Sequence, residues 1–254
     1  MSAGTAAAGI QAILLDIEGT TTPIGFVFDV LFPYVRAHLR AHLDRRASAQ
    51  DYEALFERLR DQHASDRAGG DDPPPWIETP PGERLTSIAS YVEWLMDRDS
   101  KSTSLKDLQG RIWEEGYARG ELVGEVFADV PTALRRWAAR DLQVCVFSSG
   151  SVLGQQLLFR HSSAGDLTRF LSGYFDTTTG AKSDPASYRC IAAAMAVPPG
   201  AAVFASDVTR ELDAALAAGM QTRLTVRPGN APAPPGHGHR VMHSFDDLFA
   251  ASRS

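Results

Sequence analysis

Cysteine is scarce in this sequence, with two residues among 254. Two thiols are too few for the disulfide framework of a small secreted domain or for a four-cysteine zinc site. Cys145 lies in an apolar, strand-like run and Cys190 in a helical one, so we expect both to be small core residues. The sequence therefore predicts a fold that depends on an ordinary hydrophobic core.

Long apolar runs and clusters of positive charge are absent as well. No window approaches the roughly 18 consecutive apolar residues of a membrane-spanning helix. Residues 1–9 lack the basic and apolar regions of a secretory signal. The formal net charge of −6 argues against a nucleic-acid-binding surface, which requires clustered lysine and arginine. We therefore expect a soluble, cytoplasmic protein with neither nucleic-acid nor membrane partners.

The spacing of apolar residues differs along the chain. Residues 12–15 have the pattern of a short buried strand, whereas residues 26–124 show helical periodicity and no convincing strand. Beyond them, strands and helices alternate, which is typical of a parallel sheet with helices on both faces. We predict an α/β, Rossmann-like catalytic core formed by residues 1–25 and 125–254. An all-helical cap, residues 26–124, is inserted after the first strand.

In the alternating region, further strands are predicted at residues 144–147, 174–175, 202–205 and 224–226. Residues 229–239 are rich in proline, glycine and histidine and predict a loop. Its two histidines, His237 and His239, could coordinate a metal as a pair. A solvated loop is the favoured interpretation, because nothing in the sequence fixes their geometry.

Polar residues follow three of the predicted strands, at the ends where parallel strands open onto a common crevice. Asp16 and Glu18 follow the first strand, Ser148 and Ser149 the second, and Asp207 a later one. Residues that are remote in sequence can therefore share one site.

The acidic residues suit magnesium-assisted phosphoryl chemistry. Asp16 can attack phosphorus, and Glu18 can transfer protons as a general acid and base. Asp207 would add a second hard oxygen ligand of the kind that Mg²⁺ accepts. The alternatives are that Asp16 caps a turn, Glu18 is solvated and Asp207 is a helix N-cap.

Hydroxyl groups and a lysine would complete such a site. Ser148 and Ser149 open a helix, where hydroxyls and backbone N–H groups can hold a phosphate, although simple helix capping is the alternative. Lys182 lies in a polar loop where most lysines are merely solvated. Glu211 follows Asp207 by one helical turn, so it could support the site from outside the direct ligands. The alternative, which the sequence slightly favours, is a solvated acid in the first turn of the helix.

Several stretches between residues 13 and 249 share their pattern with a known family. They are Asp16–Thr21, Phe26–Val27, Val30–Tyr34, Lys101–Thr103, Leu105–Trp113, Gly120–Leu122, Val130–Pro131, Ser148–Val152, Phe175–Thr177, Ser206–Glu211 and Val226–Asn230. In these stretches the chain resembles the haloacid-dehalogenase superfamily of aspartate-nucleophile phosphohydrolases, and within it the enolase-phosphatases. Most superfamily phosphatases have aspartate at the second acidic position, and Glu18 follows the enolase-phosphatase pattern instead.

The resemblance implies a bifunctional enzyme of methionine salvage that converts 2,3-diketo-5-methylthiopentyl-1-phosphate to acireductone and phosphate. It implies one Mg²⁺ per chain, held by Asp16, Asp207 and the backbone carbonyl of Glu18. It also implies that the chain is a monomer. The nearest alternative is a general phosphomonoesterase of the same superfamily, and a more distant one is a non-catalytic phosphate-binding protein on the same fold.

The resemblance further implies that the phosphorylated substrate contacts Ser148, Ser149 and Lys182. Residue type alone suggests that Phe26, Leu31 and Trp113 contact the methylthio group of the substrate. Aromatic and aliphatic residues at helical spacing are more often core residues, and that interpretation is favoured for all three.

Overall fold

The computed structural model describes residues 9–46 and 48–249. The expectation that the chain begins without a secretory signal concerns residues 1–8, which lie outside the described part. The chain forms two compact units. Among the described residues, one contains residues 9–27 and 123–249, and the other lies within Phe28–Leu122. Their assignment as catalytic core and cap stays a prediction.

The first unit contains a parallel sheet of six described strands. In chain order they are β1 (Ala12–Leu15), β2 (Gln143–Phe147), β3 (Gly173–Phe175), β4 (Ala202–Ser206), β5 (Gln221–Thr225) and β6 (Arg240–Met242). Their order in the sheet is β3-β2-β1-β4-β5-β6, and every neighbouring pair is parallel. This is the order of doubly wound dinucleotide-binding folds. The predicted α/β, Rossmann-like class is confirmed.

The described residues contain eight α-helices. In chain order they are α1 (Phe32–Arg46), α2 (Gln50–Ala68), α3 (Pro81–Asp97), α4 (Thr103–Ala118), α5 (Val130–Ala138), α6 (Val152–Arg160), α7 (Pro185–Ala194) and α8 (Thr209–Ala217). Helices α1 to α4 belong to the second unit, and a π-helix, Phe26–Leu31, precedes α1. None of the described helices combines the length and apolarity that a membrane crossing requires.

The central strands are buried along their whole length. Every residue of β1 and β4 is buried, as expected for parallel strands covered on both faces, and this explains their continuous apolar sequences. On one side, Tyr188 of α7 packs between Phe147 and Phe204, with ring centroids 5.6 and 5.1 Å apart. This aromatic cluster supports the ends of β2 and β4, where the polar residues begin.

One expectation for this unit is wrong, and one strand was not predicted. Cys190 is exposed, because the buried face of α7 is formed by neighbours such as Tyr188 and Ile191 and the helix turns Cys190 away from them. Strand β6 was not predicted, because its three residues follow a proline-rich loop and include an arginine. Such a segment is too short for a period of two to be visible.

The helical unit has its own core. Leu31 and Trp113 are buried, and the indole Nε1–H of Trp113 donates a hydrogen bond to the Leu31 carbonyl at 2.9 Å. Both are therefore core residues, as the favoured interpretation held. Phe26 is also buried but belongs to the other compact unit rather than to the helical one.

Truncation of a central aromatic side chain tests this description of the core. Phe204 is fully buried in β4, so Phe204→Ala should lower the free energy of unfolding by about 3–5 kcal/mol. Leu216, which is 53% exposed, provides the control, and Leu216→Ala should change it by less than about 0.5 kcal/mol. Urea denaturation followed by circular dichroism measures both. Equal losses in the two variants would contradict the assignment of Phe204 to the core.

Candidate active site

Three adjacent parallel strands end at the same edge of the sheet, and each leads into a polar residue. Asp16 follows β1, Ser148 follows β2, and Asp207 follows β4. The register of β1 with both neighbours brings these residues to a similar height. The strand order reverses at β1, and ligands of open α/β sheets bind at such a switch point. The predicted convergence of these three residues is therefore present.

The Asp16 carboxylate has partners on both oxygens. Its Oδ1 accepts the Ile17 backbone N–H at 2.8 Å and lies 2.6 Å from the Lys182 ammonium, while Oδ2 accepts the Ser206 hydroxyl at 3.0 Å. The local bond to Ile17 agrees with the turn-capping alternative. The contact with Lys182, which comes from a distant loop, goes beyond that role and makes Asp16 the centre of a polar cluster.

Lys182 connects two buried carboxylates. Its Nζ lies 2.6 Å from Asp16 Oδ1 and 2.6 Å from Glu211 Oε2, and its side chain is only 9% exposed. Burial alone would lower the pKa of Lys182, but the charges of Asp16 and Glu211 raise it above its usual value. The Tyr188 hydroxyl donates to the Lys182 carbonyl at 2.7 Å and so fixes the loop. The interpretation of Lys182 as a solvated lysine is wrong.

Glu211 and Asp207 lie in the same buried cluster. Burial, followed by the charge of Asp16, raises the pKa of each of these two carboxyl groups to about 7. The Ser206 hydroxyl lies 3.2 Å from Glu211 Oε2, so Glu211 is not the solvated first-turn acid that the sequence favoured. Asp207 does not cap α8 either, because Val208 occupies that position without a side-chain bond.

Ser148 is buried beside the end of β3. Its Oγ accepts the Gly150 N–H at 3.0 Å, and its own N–H donates to the Phe175 carbonyl at 3.1 Å. The helix cap of α6 is Ser151, which accepts from Gly154 N–H at 3.1 Å, so Ser148 is not the capping residue. Ser149, next in the chain, is partly exposed.

Gln155 supports this loop and was not predicted from the sequence. It is buried in α6, and its Nε2 donates to the carbonyls of Gly150 at 3.0 Å and Phe175 at 2.9 Å. A glutamine within an amphipathic helix gives no signal of such a role, because only the fold brings the two carbonyls to it.

The turn after Glu18 brings the backbone very close to Asp207. Gly19 has φ +66°, and a Cβ added there would lie 2.3 Å from Asp207 Oδ2. Only glycine fits this position. Glu18 is near enough for its charge to contribute to the raised pKa of Asp207, after the larger effects of burial and Asp16. The acids of the first and fourth strands therefore form one electrostatic group.

The composition of this cluster fits a hard divalent cation. One buried carboxylate, that of Asp16, and two partly buried ones, those of Asp207 and Glu211, surround a single ammonium group, so negative charge is in excess. Asn230 adds a buried amide oxygen that has no hydrogen-bond partner among the described residues. Within residues 9–46 and 48–249, no group of three His, Cys, Asp or Glu side chains could hold a metal. A cation here would therefore take two carboxylates and further oxygens, which is ordinary for Mg²⁺.

The histidine pair of the 229–239 loop behaves differently from the expectation. His239 is buried, with Nδ1 2.9 Å from Thr222 Oγ1 and Nε2 3.0 Å from Asp213 Oδ1. Its ring stacks on that of His237 at 6.2 Å. His239 therefore anchors the loop to β5 and α8, and the interpretation of a solvated loop is wrong for this residue.

The chain is similar to known proteins over nearly its whole length. The model of haloacid dehalogenase-like hydrolases matches residues 10–219. The enolase-phosphatase E1 of Synechococcus elongatus is 49% identical over 239 residues, which are 94% of this chain and 98% of that protein. That of Pseudomonas syringae pv. syringae is 46% identical over 96% of this chain and 99% of its own length. The crystal structure of the UTR4 protein of Saccharomyces cerevisiae has a TM-score of 0.77 at 30% identity and covers 94% of this chain and 100% of that one.

The chain belongs to the haloacid dehalogenase-like hydrolases and, within them, to the enolase-phosphatase E1 family. The resemblance seen in the sequence and the predicted class of phosphate-ester hydrolase are confirmed. Members of this superfamily of phosphatases generally use Mg²⁺.

Removal of the Lys182 charge should make the stability depend more strongly on pH. Lys182→Met leaves Asp16 and Glu211 buried without their cation, so the free energy of unfolding in EDTA should fall by about 3–5 kcal/mol at pH 8. The pKa of Glu211, already about 7, should rise further. The native variant then holds a proton that the unfolded chain releases. The difference in unfolding free energy between the variant and the parent should therefore become smaller as the pH falls to 5.

Denaturant unfolding at pH 5 and pH 8 checks this prediction. Lys101→Met is the matched control, because Lys101 is 50% exposed and pairs with an exposed aspartate, Asp99. This control should lower the free energy of unfolding by less than about 1 kcal/mol at either pH. If Lys182→Met loses the same unfolding free energy at both pH values, the ammonium does not compensate the two carboxylates.

Proposed function

We propose that the chain is an acireductone synthase. It converts 2,3-diketo-5-methylthiopentyl-1-phosphate to 1,2-dihydroxy-3-keto-5-methylthiopentene and inorganic phosphate in methionine salvage. Membership of the enolase-phosphatase E1 family supports this assignment. The observation that carries it is the buried cluster in which Lys182 Nζ lies 2.6 Å from both Asp16 and Glu211, beside Asp207.

Asp16 and Asp207, with the backbone carbonyl of Glu18, hold one Mg²⁺ per chain in this proposal. When bound, the ion neutralises phosphate oxygens and favours formation of the enolate. The excess of carboxylates over ammonium groups in this cluster supports this set of ligands.

Ser148, Ser149 and Lys182 bind the phosphate group. Ser148 is fixed by its own bonds to Gly150 and Phe175, so its hydroxyl is positioned before the substrate arrives. Lys182 supplies a fixed positive charge, since its two carboxylate partners raise its pKa and keep it protonated at neutral pH.

Glu18 acts first in the reaction. The C1 proton of the substrate is acidified by the adjacent C2 carbonyl, and the Glu18 carboxylate removes it. Lys182 stabilises the negative charge that develops on the oxygen of the enolate. Glu18 then gives this proton to the enolate oxygen, which becomes the first enol hydroxyl.

Asp16 serves the second half of the reaction. Its carboxylate either attacks phosphorus or orients the water that does, and it is essential in both routes. In each route the bond between phosphorus and the C1 oxygen breaks, and water supplies the hydroxyl of the inorganic phosphate. The C1 oxygen takes the remaining proton of that water and leaves as the second enol hydroxyl of the acireductone.

These roles place the chemistry in the unit that carries Asp16 and Asp207, with Phe28–Leu122 as an inserted helical cap. We expect the enzyme to act as a cytoplasmic monomer on a small phosphorylated substrate, without nucleic-acid or membrane partners.

A stopped-flow assay with the diketone phosphate tests the proposed activity. With Mg²⁺, a transient enol absorbance should appear before inorganic phosphate is released, and EDTA should abolish both signals. Release of phosphate with no enol, together with turnover of simple phosphomonoesters, would instead identify a general phosphatase of the same superfamily.

A single substitution tests the role of Asp16. Asp16→Asn keeps the size of the side chain but removes the charged oxygen, so we expect kcat for phosphate release to fall by about 10³-fold or more. Asp246→Asn changes a carboxylate that is 67% exposed and should leave kcat within about twofold. Circular dichroism should show both variants folded. Turnover by Asp16→Asn within tenfold of the parent would exclude Asp16 from the reaction.

A further inference from the structure

Asn230 is held rigidly at the edge of the candidate site. It closes a turn in which its N–H donates to the Arg227 carbonyl at 3.1 Å, with Pro228 and then Gly229 at φ +88° in the central positions. Proline followed by a glycine of positive φ is the sequence of a type II turn. Arg227 is itself anchored, since its Nη1 bonds Asp129 Oδ2 at 3.0 Å. The position of Asn230 is therefore set before any ligand binds.

The orientation of the Asn230 amide is determined by two carbonyl groups. Its Nδ2 donates to Gly19 O at 2.9 Å and to Thr225 O at 3.3 Å, so the nitrogen faces acceptors and the oxygen faces away from them. These bonds also hold the Gly19 turn, which follows Asp16 and Glu18. The amide thus ties the end of β5 to the turn that carries both acids.

The Asn230 amide oxygen is left without a donor. Oδ1 is buried, and no described residue donates a hydrogen bond to it. An isolated buried acceptor costs free energy, so such an atom normally meets a water molecule or a ligand. The point where a Cβ on Gly19 would lie is 2.9 Å from this oxygen and 2.3 Å from Asp207 Oδ2. The free acceptor therefore lies beside the carboxylate assigned to the cation.

We propose that Asn230 is a positioning residue, whose Oδ1 accepts a hydrogen bond from a water molecule bound to the divalent cation at Asp16 and Asp207. Mg²⁺ keeps several of its waters in protein sites, and bonds from outer groups orient those waters. The two N–H bonds of the same amide hold the Gly19 turn to the end of β5. This inference rests on the proposed cation site but not on the identity of the substrate.

Binding of Mn²⁺ to the metal-free protein, titrated by electron paramagnetic resonance without substrate, tests the proposal. Asn230→Ala removes the acceptor and both donors and should raise the Kd for Mn²⁺ by about 2–10-fold, the value of one hydrogen bond. Asn230→Asp loses the donors but keeps an oxygen acceptor, so it should bind Mn²⁺ at least as tightly as the parent protein.

Thr225→Val is the matched control for loosening of the turn. It removes the hydroxyl that donates to Gly19 O at 3.3 Å and pairs with Thr20 Oγ1 at 3.0 Å, without changing Asn230. Its Kd for Mn²⁺ should stay within about twofold of the parent value even where Tm falls. A purely structural role for Asn230 would weaken binding in Asn230→Asp and Thr225→Val as much as in Asn230→Ala, and would overturn the proposal.

Two further outcomes separate this inference from the proposed function. If Asn230→Ala binds Mn²⁺ as tightly as the parent, the positioning role is wrong while the enzyme assignment stands. If the parent binds Mn²⁺ with the predicted order of variants but does not convert the diketone phosphate, the inference stands and the assigned activity is wrong. A parent protein that binds no Mn²⁺ overturns the cation site and the role of Asn230 together.

Discussion

The site depends on one buried ammonium group placed between two carboxylates. Lys182 Nζ lies 2.6 Å from both Asp16 and Glu211, in a region where neither acid has much contact with solvent. Burying such charges costs several kcal/mol each, and only close pairing offsets that cost. The fold meets this condition because β1, β4 and the loop before α7 converge on the same edge of the sheet. The negative charge that the lysine leaves uncompensated makes the cluster suited to a divalent cation.

The location of the site could be predicted from sequence because it depends on strand ends. Asp16, Ser148 and Asp207 each follow an apolar run, and the carboxyl ends of parallel strands meet at one edge whatever the loops do. Lys182 was singled out because a site with a phosphate and several carboxylates needs a positive charge, and the resemblance to enolase-phosphatases implied that it contacts the substrate. Its partnership with Glu211 depends on the path of a loop and on the helical turn of α8, and neither leaves a periodic signal in the sequence.

The residues that support the site could not be predicted. Gln155 and Asn230 act through amide groups that reach carbonyls brought close only by the completed fold. The prediction of short or local features failed for a related reason. Strand β6 is too short to show alternation. Whether Cys190 faces inward depends on the rotation of α7, and the short apolar pattern of that helix does not specify it. His239 was expected in solvent, yet its two ring nitrogens find partners on separate elements.

Crystals grown with Mn²⁺, with diffraction recorded near the manganese absorption edge, show whether Asp16 and Asp207 share a divalent cation next to Lys182. We expect one anomalous difference peak in contact with a carboxylate oxygen of each aspartate. If the map has no peak between the two aspartates, or if its strongest peak lies elsewhere on the chain, the two residues do not share a cation.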